Sequence, residues 1–124
     1  MTDYKSHPDE ITALMRADAY QEGAIIASSW GYDETTVDFY QIVKRTGDWL
    51  TLHAMSSTET SDGEQTMTGH VLPGELRASA KPFRRKLLRY KQPPRAGEIA
   101  GLQIRSDGWA SIWEGRPMAV SHYG

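Results

Sequence analysis

Arg84, Arg85 and Arg105 are the residues whose types and surroundings most suggest chemistry in this chain. A guanidinium presents a planar fork of donors that matches a phosphate oxygen pair. The chain also has four Trp and six Tyr against two Phe. Trp and Tyr join apolar area to a hydrogen-bonding tip, as ligand and subunit surfaces require. Arginines that hold phosphate and flat rings that stack a base together suit a nucleotide. On this ground Arg84, Arg85 and Arg105 are expected to contact phosphate, and Trp30, Tyr32, Phe83 or Trp113 to stack a base. Asp33 and Asp38 are expected to orient the arginines or to bind ribose hydroxyls, because a bare carboxylate repels phosphate. The plainer alternative is that the Trp rings fill a small core and the arginines protect an edge strand.

Catalytic signatures are missing. There is no nucleophile elbow, phosphate loop or dinucleotide fingerprint. The four His, at 7, 53, 70 and 122, do not show metal-ligand spacing, although a pairing of strands around a loop at 58–63 would set His53 opposite His70. Two His without a third ligand make a poor metal site. The expectation is a binding protein, not an enzyme, with no metal and no cofactor. With no Cys, no disulfide framework exists. No apolar run is long enough to span a membrane, and the N-terminus has no apolar signal region, so a cytoplasmic home is expected.

The net charge of −2 conceals an asymmetry. Residues 1–40 hold eight acids against two bases, whereas residues 77–95 hold eight bases and no acid. The basic block attracts anions: phosphates, nucleic acid or an acidic protein face. It also serves to neutralise the acidic third within the fold or between subunits.

The elements that must position these residues read as one domain over residues 1–124, a helical arm at 1–22 followed by a β-rich body at 24–124. Ser6, Pro8, Asp9 and Glu10 make a helix start, Ile11, Leu14 and Met15 follow helical spacing, and Gly23 stops a helix over 7–21. Strands are expected at 24–30, 36–44, 49–56, 64–72, 84–90, 100–105 and 109–113. The fold class is therefore α+β, an N-terminal helix and an antiparallel sheet of six or seven strands. A hairpin turn at Thr46-Gly47 pairs Arg45 with Asp48 and sets Val37, Phe39, Val43, Leu50, Leu52 and Ala54 on one core face. The opposite face, with Tyr40, Ile42, Trp49 and Met55, is mixed in polarity, which suits either a second packing layer or a ligand or subunit surface, and self-association through it is expected.

Two stretches carry a resemblance. Ser29-Trp30-Gly31-Tyr32-Asp33-Glu34-Thr35-Thr36-Val37-Asp38-Phe39-Tyr40 resembles an S-W-G-Y-D-x-T-x-V-x-F-Y segment of small phage and plasmid proteins. Trp113-Glu114-Gly115-Arg116-Pro117, with Ser121 and Tyr123, resembles their W-D-G-x-P…S-x-Y ending, with Glu114 in place of Asp. Gly69-His-Val-Leu-Pro73 and Pro82-Phe83-Arg84-Arg85 resemble stations between them, so the likeness spans residues 24–124. Those proteins look similar to phage anti-Thoeris proteins that sequester cyclic ADP-ribose signals and to related sponges for cyclic oligonucleotides. The resemblance implies an α+β homo-oligomer, encoded by a phage or mobile element, that sequesters an anionic cyclic nucleotide immune signal without cleaving it. Two alternatives stay open: a nucleic-acid-binding or DNA-mimicking accessory protein, and an inhibitor that binds a host protein directly.

Overall fold

The hairpin announced at 45–48 is the centre of the molecule. A computed structural model of the chain describes residues 16–64, 66–91, 98–105 and 108–122, apart from the side chains of Tyr90 and Lys91. Strand β2 (Thr36–Thr46) pairs antiparallel with β3 (Trp49–Ser61), and β1 (Ile25–Trp30) lies on the other side of β2. The turn falls one residue later than expected. Thr46 pairs with Trp49, and Gly47 takes the left-handed position at φ +61°. Arg45 nevertheless meets Asp48, with 3.5 Å between Nη2 and Oδ1.

Between Ile42 and Lys44 the register shifts at a bulge. Side chains alternate with period two, so an extra residue moves the downstream side chains to the other face. The expected single core face is thereby corrected. Ile42, Leu50 and Leu52 are fully buried on one face, while Val37, Phe39 and Met55 are buried on the other. The mixed face is divided in the same way: Ile42 and Met55 are used within the chain, and Trp49 remains 43% exposed.

Each face is enclosed by its own curl of strand. Strand β4 (Thr68–Leu76) pairs with the far half of β3, and β9 (Met118–Ser121) pairs with β4. Thr35 and Ser121 then exchange backbone hydrogen bonds of 3.2 and 3.1 Å, which bring β9 back to the start of β2. Val37, Phe39, Met55, Val71 and Val120 fill this smaller curl. On the other side β5 (Phe83–Lys86) pairs with the near half of β3 and continues past Leu87 into β6 (Leu88–Lys91). Strand β6 pairs with β7 (Glu98–Gly101), and a Leu102–Ala110 bridge links that hairpin to β8 (Ala110–Ile112), which pairs with β1. The resulting larger ring surrounds Tyr20, Ile26, Ile42, Leu50, Leu52, Leu87 and Leu102. The strand expected at 84–90 is thus broken at Leu87, whose N–H donates to the Asp48 carbonyl at 2.7 Å. The tail, to which the sequence reading assigns no element, supplies β9.

Among the described residues the α+β expectation is corrected to an all-β fold, a curled seven-stranded antiparallel sheet with a two-stranded companion. Residues 1–15, the greater part of the expected helix, lie outside the described residues. Residues 16–21 contain only a 3-10 turn at Ala17–Ala19, preceded by an extended Arg16. The competitor is Arg45. Its guanidinium donates to the Ala17 and Tyr20 carbonyls at 2.6 and 3.0 Å, acceptors that a continuing helix would need. Tyr20 is then drawn fully into the larger ring. No helix among the described residues is long and apolar enough to cross a membrane.

Candidate functional site

Strand parity builds a mouth on the larger ring. Ile26, Ser28 and Trp30 alternate onto its inner face, and their partners on β2 place Asp38 and Tyr40 there too. Phe83 and Arg85 reach the same face from β5, because they pair with the inward-facing Leu52 and Leu50. Arg105 arrives from the segment after β7, in a turn where the Gly108 N–H donates to its carbonyl at 3.2 Å.

The groups interlock through flat surfaces. The Arg105 guanidinium lies 3.9 Å over the Trp30 ring, and Arg85 lies 4.8 Å over Phe83. Tyr40 meets Phe83 edge to face at 5.4 Å. The Trp30 indole N–H donates to the Asp38 carboxylate at 2.8 Å, which fixes the indole plane. Each guanidinium–ring contact is worth about 0.5–2 kcal/mol and orders both partners. Past Asp38 and Tyr40 opens a cleft of about 380 Å³ lined also by Phe39, Ala54, Met55, Arg77, Ser79 and Ala80, and not by Trp30, Phe83, Arg85 or Arg105. That is within the range of small-molecule sites, at its lower end.

The electrostatics of the mouth centre on Tyr40. Burial pushes its phenol above the usual tyrosine range, Asp38 adds to this, and Arg105, Arg85 and Arg77 oppose it. At neutral pH the phenol is therefore a donor. Because the folded value is raised, its contribution to stability is complete below pH about 10 and is lost as pH climbs through the folded value. Thermal melts through the alkaline range should show a falling melting temperature that Tyr40→Phe flattens. An unchanged slope in Tyr40→Phe would contradict this.

Ser28 lies deeper on the same face, opposite Asp38, fully buried. Its hydroxyl has no hydrogen-bond partner among the described residues. An unpaired buried hydroxyl costs about 1–3 kcal/mol. Ser28→Ala should accordingly hold or raise the melting temperature. A fall of several degrees would show that the hydroxyl is satisfied.

Of the nine residues expected from the sequence to form the site, Trp30, Asp38, Phe83, Arg85 and Arg105 converge here. The others lie apart. Tyr32 is 99% exposed, and Asp33 is exposed beside it in the β1–β2 loop. Arg84 points outward and lies 4.9 Å over Trp49. Trp113 packs edge to face on Phe39 at 6.0 Å, on the opposite face of the sheet. Sequence reasoning does not reach Tyr40, Arg77 and Ser28 as site residues. The period-two spacing Ser28–Trp30 and Asp38–Tyr40 is the signal for two of them. For Arg77 the signal is its place at the head of the basic block at 77–95, which does not single it out from the other seven bases.

His53 and His70 do not face each other. His53 Nε2 sits 2.8 Å from the Arg77 carbonyl, and His70 Nδ1 sits 2.9 Å from Asp62. Among the described residues no three His, Cys, Asp or Glu group as metal ligands. Comparison with family models, with curated proteins and with solved structures gives no match.

Proposed function

We propose that this protein binds an anionic cyclic nucleotide at the mouth of the larger ring and holds it without converting it. The observation that carries this reading is the pair of guanidinium–ring stacks, Arg105 on Trp30 and Arg85 on Phe83, with Tyr40 edge-on to Phe83. Phosphate needs charge-assisted donors to replace its lost water, and a base needs flat apolar area. Both needs are met within one face. The sequestering role, against an immune signal and on behalf of a phage or mobile element, rests on the sequence resemblance. Incubation with cyclic ADP-ribose isomers and cyclic dinucleotides should deplete one of them from solution. Heat denaturation should return it with unchanged mass and retention. A returned product of different mass would mean an enzyme, and no depletion of any of them would sink the proposal. Sedimentation of the same sample reads the homo-oligomer that the resemblance implies, as a species larger than one chain.

A second reading, binding of single-stranded nucleic acid, is favoured by the outer face of the β2–β3–β5 sheet. There Lys44, Arg84 and Lys86 stand in register with Thr51 and the exposed Trp49. Three phosphate contacts predict a log–log salt slope of about −2, at roughly −0.7 per contact. Fluorescence titration of Trp49 with oligo(dT) at several salt concentrations measures it. A flat response to salt would exclude the reading.

A further inference from the structure

The stretch Trp113-Glu114-Gly115-Arg116-Pro117 takes no part in the mouth, yet it walls a separate cleft. This cleft, of about 400 Å³, lies on the opposite face of β1 and β8 and is lined by Trp109, Trp113, Ser29, Ser111, Glu114 and Arg116 among others. Ser29 and Ser111 face it because they share strand parity with Ala27, away from Ser28 and Trp30.

Two independent devices hold its aromatic walls. Trp109 lies directly against the backbone of Gly101, where a Cβ would stand 2.2 Å from the indole ring, so only glycine admits the ring there. The ring is still 38% exposed. The Trp113 indole N–H donates to the Arg116 carbonyl at 2.7 Å, across a turn that Gly115 makes at φ +92°. This leaves both indoles set before any ligand arrives, which lowers the ordering cost of binding. Glu114 and Arg116 are exposed, and their side chains make no hydrogen bond or ion pair among the described residues.

We infer that this cleft is a second binding site, distinct from the nucleotide mouth, and that its ligand is a neutral saccharide ring. The chemistry of the walls narrows the choice. An anion would meet the Glu114 carboxylate, and a cation would meet the Arg116 guanidinium. A purely apolar molecule would desolvate two hydroxyls and two charges without repaying any of them. A sugar satisfies the whole set. Its C–H face packs on an indole, while each hydroxyl both donates and accepts. Glu114 therefore accepts hydrogen bonds from hydroxyls, Arg116 donates to hydroxyl oxygens, and Ser29 and Ser111 do either.

The test is saturation-transfer NMR on the full chain with glucose, galactose, N-acetylglucosamine and ribose at millimolar concentration, with free leucine as a zwitterionic control. Saturation of the aromatic protons should reach the C–H protons of at least one sugar. Glu114→Gln should weaken that sugar about 10-fold or more, the effect of losing a hydrogen bond to a charged group. Its carboxylate holds no partner among the described residues, so the variant should keep the melting temperature of the parent. The inference is overturned by absence of transfer to all four sugars, by transfer to leucine instead, or by full sugar binding in the Glu114→Gln, Arg116→Ala double variant. Nucleotide depletion at the mouth, measured in the same double variant, should be unchanged, which separates the two sites.

Discussion

Tyr20→Ala is expected to cost about 3–5 kcal/mol of folding stability, the range for removing a fully buried aromatic ring. The ring is fully buried in the core of the larger ring. Its hydroxyl donates to the Ala100 carbonyl at 2.6 Å and accepts from the Ile112 N–H at 3.1 Å, so one atom ties β7 to β8. Against a typical total of about 5–15 kcal/mol, that loss leaves many chains unfolded at body temperature. Tyr20→Phe separates the two contributions. It keeps the ring and strands two buried backbone groups, so about 1–3 kcal/mol should go. Chemical denaturation of both variants measures this. Equal effects would mean that the hydroxyl carries everything, and no effect in either would mean that the chain before residue 24 is not part of the fold.

Arg85→Ala is expected to weaken nucleotide binding by about 10- to 150-fold, whereas Arg84→Ala should leave it within about two-fold. The two arginines are adjacent in sequence, and the sequence alone assigns both to phosphate. Strand alternation separates them: Arg85 turns inward onto Phe83, and Arg84 turns outward onto Trp49. Arg85 also donates to the carbonyls of Arg84 and Ile104, at 2.9 and 3.4 Å, which aims the remaining donors of the fork. Calorimetric titration with the depleted nucleotide reads the contrast. Equal losses would place the ligand across the edge of β5, and a loss confined to Arg84→Ala would move it to the outer face. Arg85→Ala also removes a ring contact worth about 0.5–2 kcal/mol and two hydrogen bonds to backbone carbonyls, so some loss of melting temperature is expected and binding is compared well below the melting range of each variant.

The two arginines also show why a sheet with both faces buried is hard to read. In a half-buried sheet, apolar residues mark one face and polar residues the other. Here β2 and β3 serve two cores. Val37 and Phe39 pack into the smaller curl, while Tyr40 and Ile42, further along the same strand, pack into the larger ring. Alternation along β2 is then apolar against apolar, and the bulge near Val43 removes the remaining cue. The face read as mixed therefore divides: Tyr40 and Ile42 pack into the larger ring, Met55 packs into the smaller curl, and Trp49 stays exposed.

The sequence by itself determined the local elements. Seven strands were expected, and most begin within a residue or two of where they lie. The β2–β3 hairpin announced itself through Gly47 and the Arg45–Asp48 contact. These features arise from propensity, turn chemistry and spacing, which act over a few residues. Tertiary structure alone decided the rest. The 16–21 segment forms no α-helix because Arg45, 25 residues or more away, captures its carbonyls. The tail becomes a strand because Ser121 meets Thr35, and Tyr20 becomes core because Ala100 and Ile112 come to its hydroxyl. Whether a guanidinium turns into the larger ring or outward was decided by the register of β5 on β3, which sets Arg85 opposite Leu50 and Arg84 opposite Thr51. Each of these outcomes depends on partners distant in the chain, whose approach no local pattern encodes.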